Sequence, residues 1–342
     1  MREKSLVDLS WQVSEEEYRA DSAYSYSCIA KYCRGGYDSI GNLFEKVSTP
    51  SLIFGSAVDT LVTEGMEAFE KKYMVLKYSV PQSMGKVIDY LFDKCSEEYH
   101  DLSDIPESTI EEAVLETDYQ PNWKLGTRVK SVLEKGGGYY YLKQTSKGKI
   151  LLDEDMYNAA LACDQALKSD PATEWYFRDN TDEVERFYQL KFKGEYNGIP
   201  LRCMVDLLVV DHVNKKIYLC DLKTSSHREW DFHKSFMQWS YYIQAQLYWY
   251  LVRQNLDKDP VYKEYTLEDC RFIVINKDDL KPLVWEFKGT RSENDIVTGK
   301  NREYVMRNWR GLVTELNYYL SDMPKYPIGI QEQNDIMEWL NK

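Results

Sequence analysis

No Cys-x-x-Cys pair occurs among the seven cysteines, Cys28, Cys33, Cys95, Cys163, Cys203, Cys220 and Cys270. They are odd in number and scattered, which excludes a disulfide framework and offers no zinc or iron–sulfur spacing. Reduced, mostly buried thiols are expected. The four histidines (His100, His212, His227, His233) show no metal-ligand spacing either. No apolar run approaches the roughly 18 residues of a membrane span. The start, Met1-Arg2-Glu3-Lys4-Ser5, lacks the apolar stretch of a signal peptide, so a cytoplasmic protein is expected, with no membrane partner. G-x-x-x-x-G-K-[ST], G-x-G-x-x-G and G-x-S-x-G are all missing, which removes ATP hydrolysis, dinucleotide binding and the serine-hydrolase elbow. Positive charge is also short: 43 Lys and Arg face 56 Asp and Glu, a formal charge of −13. A polyanion would be repelled unless the basic residues gather on one face.

What is present is an ordinary globular mix, 43% hydrophobic and 29% charged over 342 residues, enough for one large domain or two small ones. Up to about residue 178 apolar residues recur at helical spacing, in Tyr18 to Tyr32, Leu52 to Tyr73, Met84 to Leu91, Ile110 to Leu115 and Met156 to Leu167. Gly136-Gly137-Gly138 breaks this pattern. Lys124, Arg128, Lys130, Lys135, Lys143, Lys147 and Lys149 cluster around it, as a solvated loop beside an exposed helix or as a basic arm for a nucleic-acid backbone. From Glu183 the period becomes two. Strands are expected over Val184 to Phe192, Leu201 to Val210 and Ile217 to Leu222, joined by turns at Tyr196-Asn197-Gly198 and Asn214-Lys215-Lys216. Ser235 to Arg253, crowded with aromatics, reads as a helix buried on most of its circumference. Arg271 to Asn276 and Leu283 to Phe287 read as further strands, and Asp295 to Leu320 as helix. The expectation is α+β: one domain over residues 1–342, with a small mixed sheet (179–290) wrapped by a helical N-terminal half (1–178) and a C-terminal helical region (291–342).

Within the sheet one constellation carries chemistry. Met204-Val205-Asp206-Leu207 lies on one expected strand and Cys220-Asp221-Leu222-Lys223-Thr224 on the next. A tight hairpin brings Asp206 and Asp221 together, and alternation puts Asp221 and Lys223 on one face with Leu222 on the other. Asp206 sits in an otherwise apolar strand and needs a partner there. Two carboxylates a few Å apart repel by about 4 kcal/mol at an effective dielectric near 20. A hard divalent cation relieves this, and Mg²⁺ is commonly held by one or two carboxylates plus waters and phosphate oxygens. A nearby lysine would orient a water or stabilise charge on a phosphate.

This pattern, Asp206 followed by Asp221-Leu222-Lys223, resembles the PD-(D/E)XK nuclease superfamily, with its restriction-endonuclease-like core. Gln244-Ala245-Gln246-Leu247-Tyr248 on the following helix is similar to the Gln-x-x-x-Tyr motif of the RecB-like branch, which includes phage and prophage RecE-type exonucleases. A shifted match, Gln246 to Tyr250, fits the surrounding residues less well. Gly55-Ser56-Ala57-Val58-Asp59 looks like the branch's upstream Gly-x-x-x-His/Asp motif, with Asp59 where many members carry His. The resemblance runs from about Ser25 to Trp249.

The resemblance implies Asp59, Asp206, Asp221 and the Leu222 carbonyl as metal ligands. Lys223 would position or activate the attacking water, with Gln244 and Tyr248 in support. Glu185, on the strand before Asp206, is a possible additional metal-facing acid. The implied activity is Mg²⁺-dependent exonucleolytic hydrolysis of duplex DNA from its ends, with Mn²⁺ able to substitute. The setting would be phage-type recombination in a bacterial or phage-infected cell, with a homo-oligomer and a possible recombinase partner. Alternatives are an endonuclease of the same fold and a non-catalytic nuclease-fold protein that binds DNA or protein. DNA binding would also require a positive channel, for which Lys124 to Lys149 and Arg302, Arg307 and Arg310 are available.

Overall fold

The computed structural model describes residues 5–45, 47–76, 81–146 and 148–321. The chain divides into two compact units, Met1–Thr63 with Ala162–Lys342, and Glu64–Leu161. The first carries helices α1 (Glu15–Ala20), α2 (Tyr26–Gly35) and α3 (Pro50–Thr63). The second consists of α4 (Met66–Lys72), β1 (Tyr73–Leu76), α5 (Gln82–Cys95), α6 (Glu107–Glu116), α7 (Leu125–Thr145) and β2 (Ile150–Asp153). After α8 (Glu154–Ser169) come β3 (Val184–Tyr196), β4 (Ile199–Asp211), β5 (Lys216–Ser225), α9 (Phe232–Gln238) and α10 (Tyr241–Leu256). The last elements are β6 (Thr266–Leu267), β7 (Arg271–Asn276), β8 (Leu283–Glu286), β9 (Ile296–Thr298), β10 (Tyr304–Met306) and α11 (Trp309–Ser321). Among the described residues no helix is long and apolar enough to cross a membrane.

The fold is the expected mixed α+β arrangement. Strands order β3-β4-β5-β7-β8 in one sheet, antiparallel except for the parallel β5–β7 pair, with β6 also parallel alongside β5. A β5–β7 parallel pair requires a crossover, and α9 and α10 supply it. One sheet face, lined by Leu208, Val210, Ile217, Leu219, Phe272 and Val274, packs in a single core with Ile29, Ile243, Leu247, Leu251 and Trp309 from α2, α10 and α11. As expected, α10 is buried nearly all round, from Tyr242 through Tyr248. All seven cysteines are free and six are buried.

Three expectations differ from the structure. Ile296–Thr298 and Tyr304–Met306 form an antiparallel hairpin, so only Trp309–Ser321 is helical where Asp295 to Leu320 read as helix. The outermost part of the expected C-terminal helical region, from 322 on, lies outside the described residues. The parallel β1–β2 pair of the second unit is the second difference.

The third is the glycine triplet. It lies inside the continuous helix α7 rather than in a loop. A Cβ at Gly136 would stand 2.6 Å from Ile88 Cδ1 and 3.1 Å from Leu102 Cδ2, so the missing side chain admits close packing against α5. That packing outweighs the roughly 0.5–1 kcal/mol that each helical glycine costs. At Gly137 an added Cβ meets nothing within 4 Å. Gly136→Val should therefore destabilise the protein by about 1–3 kcal/mol through overpacking. Gly137→Ala should stabilise it by about 0.5–1 kcal/mol. Urea midpoints of the two variants check both signs.

Candidate active site

Asp206 lies mid-strand in β4, at the point where the β4–β5 ladder ends. Leu207 pairs with Cys220 and Leu208 with Leu219. Continuing that register by one place sets Asp206 across from Asp221, and directly opposed side chains in an antiparallel pair share a face. Asp206 Oδ2 accepts from the Leu222 N–H at 2.9 Å, which ties the two strands together beyond the last ladder bond. Asp221 and Lys223 follow Ile217 and Leu219 on the face covered by α10, as alternation predicts. Their carboxylate and ammonium stand 2.5 Å apart, with side-chain exposures of 2% and 18%. The ammonium also lies 4.9 Å from the centre of the Tyr241 ring. The expected hairpin and the shared face of Asp221 and Lys223 are present.

From α10, Gln244 Nε2 donates to Asp221 Oδ1 at 2.5 Å. Gln246 points elsewhere, donating to the Gly289 carbonyl at 3.1 Å, and the Tyr250 hydroxyl donates to the Glu195 carbonyl. Of the two possible Gln-x-x-x-Tyr registers, Gln244 to Tyr248 is therefore the one at the site. Tyr248 is buried, and desolvation, together with the charges of Tyr18, Asp221 and Asp206, pushes its hydroxyl well above the ordinary tyrosine range.

The third acid arrives from α3. Gly55 and Asp59 are one turn apart and share a face. At Gly55 an added Cβ would lie 3.1 Å from Thr224 Oγ1, so the glycine allows α3 to close on the end of β5. Asp59 then accepts a hydrogen bond from Gln189 Nε2 at 2.8 Å. Gln189 was not picked out from the sequence. It sits on β3 between Tyr188 and Leu190, which pair with Leu207 and Val205, and so stands opposite Asp206. Its backbone is left-handed, φ +53°. For a glutamine in a strand that conformation is uncommon and marks a site where surrounding structure imposes the geometry.

Glu185 does not join this group. It pairs with Val210, four residues along β4 from Asp206, which is about 13 Å at strand rise. Its carboxylate is 2.7 Å from His212 Nε2, whose Nδ1 contacts the Tyr265 hydroxyl at 2.9 Å. The acid on the preceding strand therefore braces the opposite end of the hairpin. The position facing Asp206 belongs to Gln189.

Electrostatics follow from this crowding. Burial first, and then the charges of Asp221 and Asp59, raise Asp206 well above the usual carboxylate range, against the pull of Lys223 and the Leu222 N–H. Desolvation pulls Lys223 down, but the charge of Asp221, with Tyr241, Asp206 and Tyr26, outweighs it and holds the ammonium above the ordinary lysine range. The ion pair with Asp221 thus favours the protonated lysine. Gln244 Oε1 is a buried acceptor with no hydrogen-bond partner.

This donor set suits a hard divalent cation. It is all oxygen, it carries three carboxylates against one ammonium, and burial first and then the neighbouring acids raise Asp206. Among the described residues no three His, Cys, Asp or Glu side chains form a ready-made cage. Mg²⁺ does not require one, because it keeps several waters and takes one or two carboxylates with substrate oxygens.

Several members of the two basic clusters named from the sequence are engaged in local structure. Lys143 pairs with Asp89 at 2.6 Å, Lys149 donates to the Glu70 carbonyl, and Arg128 caps the Trp123 and Pro121 carbonyls. Lys147 lies outside the described residues. Arg307 pairs with Glu315, and Arg310 lies over the rings of Trp309, Tyr250 and Tyr196.

Comparison with known proteins bears on the same stretch. No curated protein matches the chain. A crystal structure of a protein from Eubacterium rectale, provisionally named an exonuclease, aligns over 94% of this chain and 98% of its own, with a TM-score of 0.43 and 13% identity. The profile of one family matches residues 40–279, which hold Asp59, Gln189, Asp206, Asp221, Lys223 and Gln244. The chain belongs to that family, described as a PDDEXK-like domain of unknown function (DUF3799).

Proposed function

We propose that this protein is a divalent-metal-dependent deoxyribonuclease of RecE-like type, degrading duplex DNA from its ends. One observation carries the reading: the Lys223 ammonium stands 2.5 Å from the Asp221 carboxylate, and Asp206 accepts from the Leu222 N–H beside it, with Asp221 and Asp59 both close enough to raise Asp206. Asp206, Asp221 and Asp59 would hold Mg²⁺, with the Leu222 carbonyl as a further oxygen and Mn²⁺ as a substitute. Bound there, the cation would neutralise the carboxylates and polarise the scissile phosphate. Lys223, which the Asp221 charge keeps above the ordinary lysine range, would stabilise charge on that phosphate and position or activate the water. Gln244 fixes the Asp221 carboxylate, and Gln189 fixes Asp59. Tyr248 fills the wall behind them. A homo-oligomer and a recombinase partner belong to the same reading.

The test uses linear duplexes labelled at one end beside closed-circular DNA, in Mg²⁺, in Mn²⁺ and in chelator. Metal-dependent shortening of the linear duplex with the circle intact is expected. Cutting of the circle would make the protein an endonuclease. No cleavage of either substrate would reject the enzyme in favour of a non-catalytic binding protein.

A further inference from the structure

The segment between β5 and α10 begins three residues past Lys223 and holds two tryptophans in the open. Trp230 is 60% exposed and Trp239 45%. Single exposed apolar residues need no explanation. Two indoles nine positions apart, each with an arginine on its ring, are a different matter. The Arg34 guanidinium lies 5.4 Å from the Trp239 ring centre and that of Arg228 5.3 Å from Trp230.

The Trp239 backbone is held firmly. Its carbonyl accepts from the Tyr26 hydroxyl at 2.7 Å and from Arg34 at 2.9 Å. Ser240, at φ +57°, makes the left-handed turn into α10. The base of the segment is anchored too, by His227 Nδ1 at 2.9 Å from Ser235 Oγ and by the Asn276 side chain on the His227 carbonyl. The anchor leads directly to the site. The Tyr26 and Tyr241 rings are 6.3 Å apart, and Tyr241 carries the Lys223 ammonium on its face. Beyond Trp239, Arg34 and Lys31 line an open cleft with Gly35, Asp38, Ser39 and Asn42.

Resting on the nuclease reading, we propose that this surface binds an unpaired polynucleotide strand next to the scissile position, a base stacking on Trp239 and a second within reach of Trp230. Exposed indoles suit bases of any sequence, because every base offers a π-face. Arg34 beside Trp239, Arg228 beside Trp230, and Lys31, which donates to the Asn42 carbonyl, supply phosphate contacts on a chain whose net charge of −13 would otherwise repel the ligand. Asp38 within the cleft and Glu229 and Asp231 beside Trp230 limit the positive charge. Asp231 is offset by Lys234 at 2.9 Å. Stacking therefore carries more of the affinity than charge does. A duplex end keeps its bases paired and stacked and gains little from such a platform, so the surface favours a frayed or single strand.

Fluorescence anisotropy tests this with the full-length chain in chelator, where nothing is cut. The probes are labelled oligothymidylate and a blunt duplex of the same length. Trp239→Ala should weaken oligothymidylate binding about tenfold or more, with Trp239→Phe retaining most of the affinity. Duplex binding should change less than threefold. Arg34→Ala should lower the salt slope for the single strand by about 0.7. Unchanged oligothymidylate affinity in Trp239→Ala, equal losses on both probes, or no single-strand binding by wild type would each overturn the proposal. End-labelled cleavage in Mg²⁺ is scored separately. Cleavage without Trp239 dependence rejects this surface alone, whereas Trp239-dependent binding without cleavage rejects the nuclease reading and keeps the surface.

Discussion

Lys223→Met should reduce cleavage by about 10²–10³-fold, the loss seen when one preorganised charge donor is removed from a reacting oxyanion. Methionine keeps most of the apolar stem and deletes the ammonium that lies over the Tyr241 ring. The same change leaves Asp221, 2% exposed, without its counter-ion, although Gln244 still donates to it. Breaking a buried pair by removing one partner costs roughly 3–5 kcal/mol. The metal-free variant should therefore melt well below wild type. Because the penalty is uncompensated negative charge, saturating Mg²⁺ should return much of the lost stability while cleavage stays absent. That separation distinguishes a charge acting on the substrate from a charge that merely holds the fold. Recovery of cleavage together with stability would show that Lys223 only positions Asp221. Single-turnover degradation of labelled duplex and melting with and without Mg²⁺ provide the two readouts.

The legible part of this site is the part set by strand period and pairing. A hairpin with a tight turn at Asn214-Lys215-Lys216 fixes which residues oppose, and alternation fixes that Asp221 and Lys223 face the same way. The Gln244–Tyr248 register was legible for a related reason: residues four apart share a helix face, and Gln246 is rotated away onto Gly289.

What the sequence did not disclose depends on tertiary packing. Gln189 carries no local sign of a left-handed backbone, since glutamine is not favoured there; only its place opposite Asp206, known once the β3–β4 register is known, could have pointed to it. Glu185 was attractive as an acid on the right strand, but strand rise separates it from the cluster and His212 takes it. The triple glycine promised a break, and close approach to Ile88 preserved the helix. One signal was available and was missed: Ile296-Val297-Thr298 and Tyr304-Val305-Met306 are β-branched and aromatic segments around Gly299-Lys300-Asn301, a hairpin pattern.

Asp206→Asn should raise the melting temperature of the metal-free protein and abolish the stabilisation that Mg²⁺ gives. The carboxyl of Asp206 is raised well above its ordinary value by burial, Asp221 and Asp59. An acid with a raised folded pKa binds more protons in the native state than in the unfolded chain. Stability then falls as pH rises from the unfolded value, near 3.9, through the raised native value, and the full penalty remains above it. A tenfold gain in proton affinity on folding corresponds to a penalty of about 1.4 kcal/mol once the acid is ionised. Asparagine cannot ionise, yet its carbonyl oxygen can still accept from the Leu222 N–H, so the strand contact survives while the repulsion is removed. In wild type a divalent cation relieves the same repulsion, and ligand that binds only the native state raises stability by mass action. The variant has lost both the strain and a ligand. Its melting curve should therefore be flatter with pH across that window and insensitive to Mg²⁺, with cleavage lost. A variant less stable than wild type at neutral pH without metal would mean that Asp206 is a net stabilising partner of Lys223 and Leu222, and the clustered-carboxylate account of the site would fail.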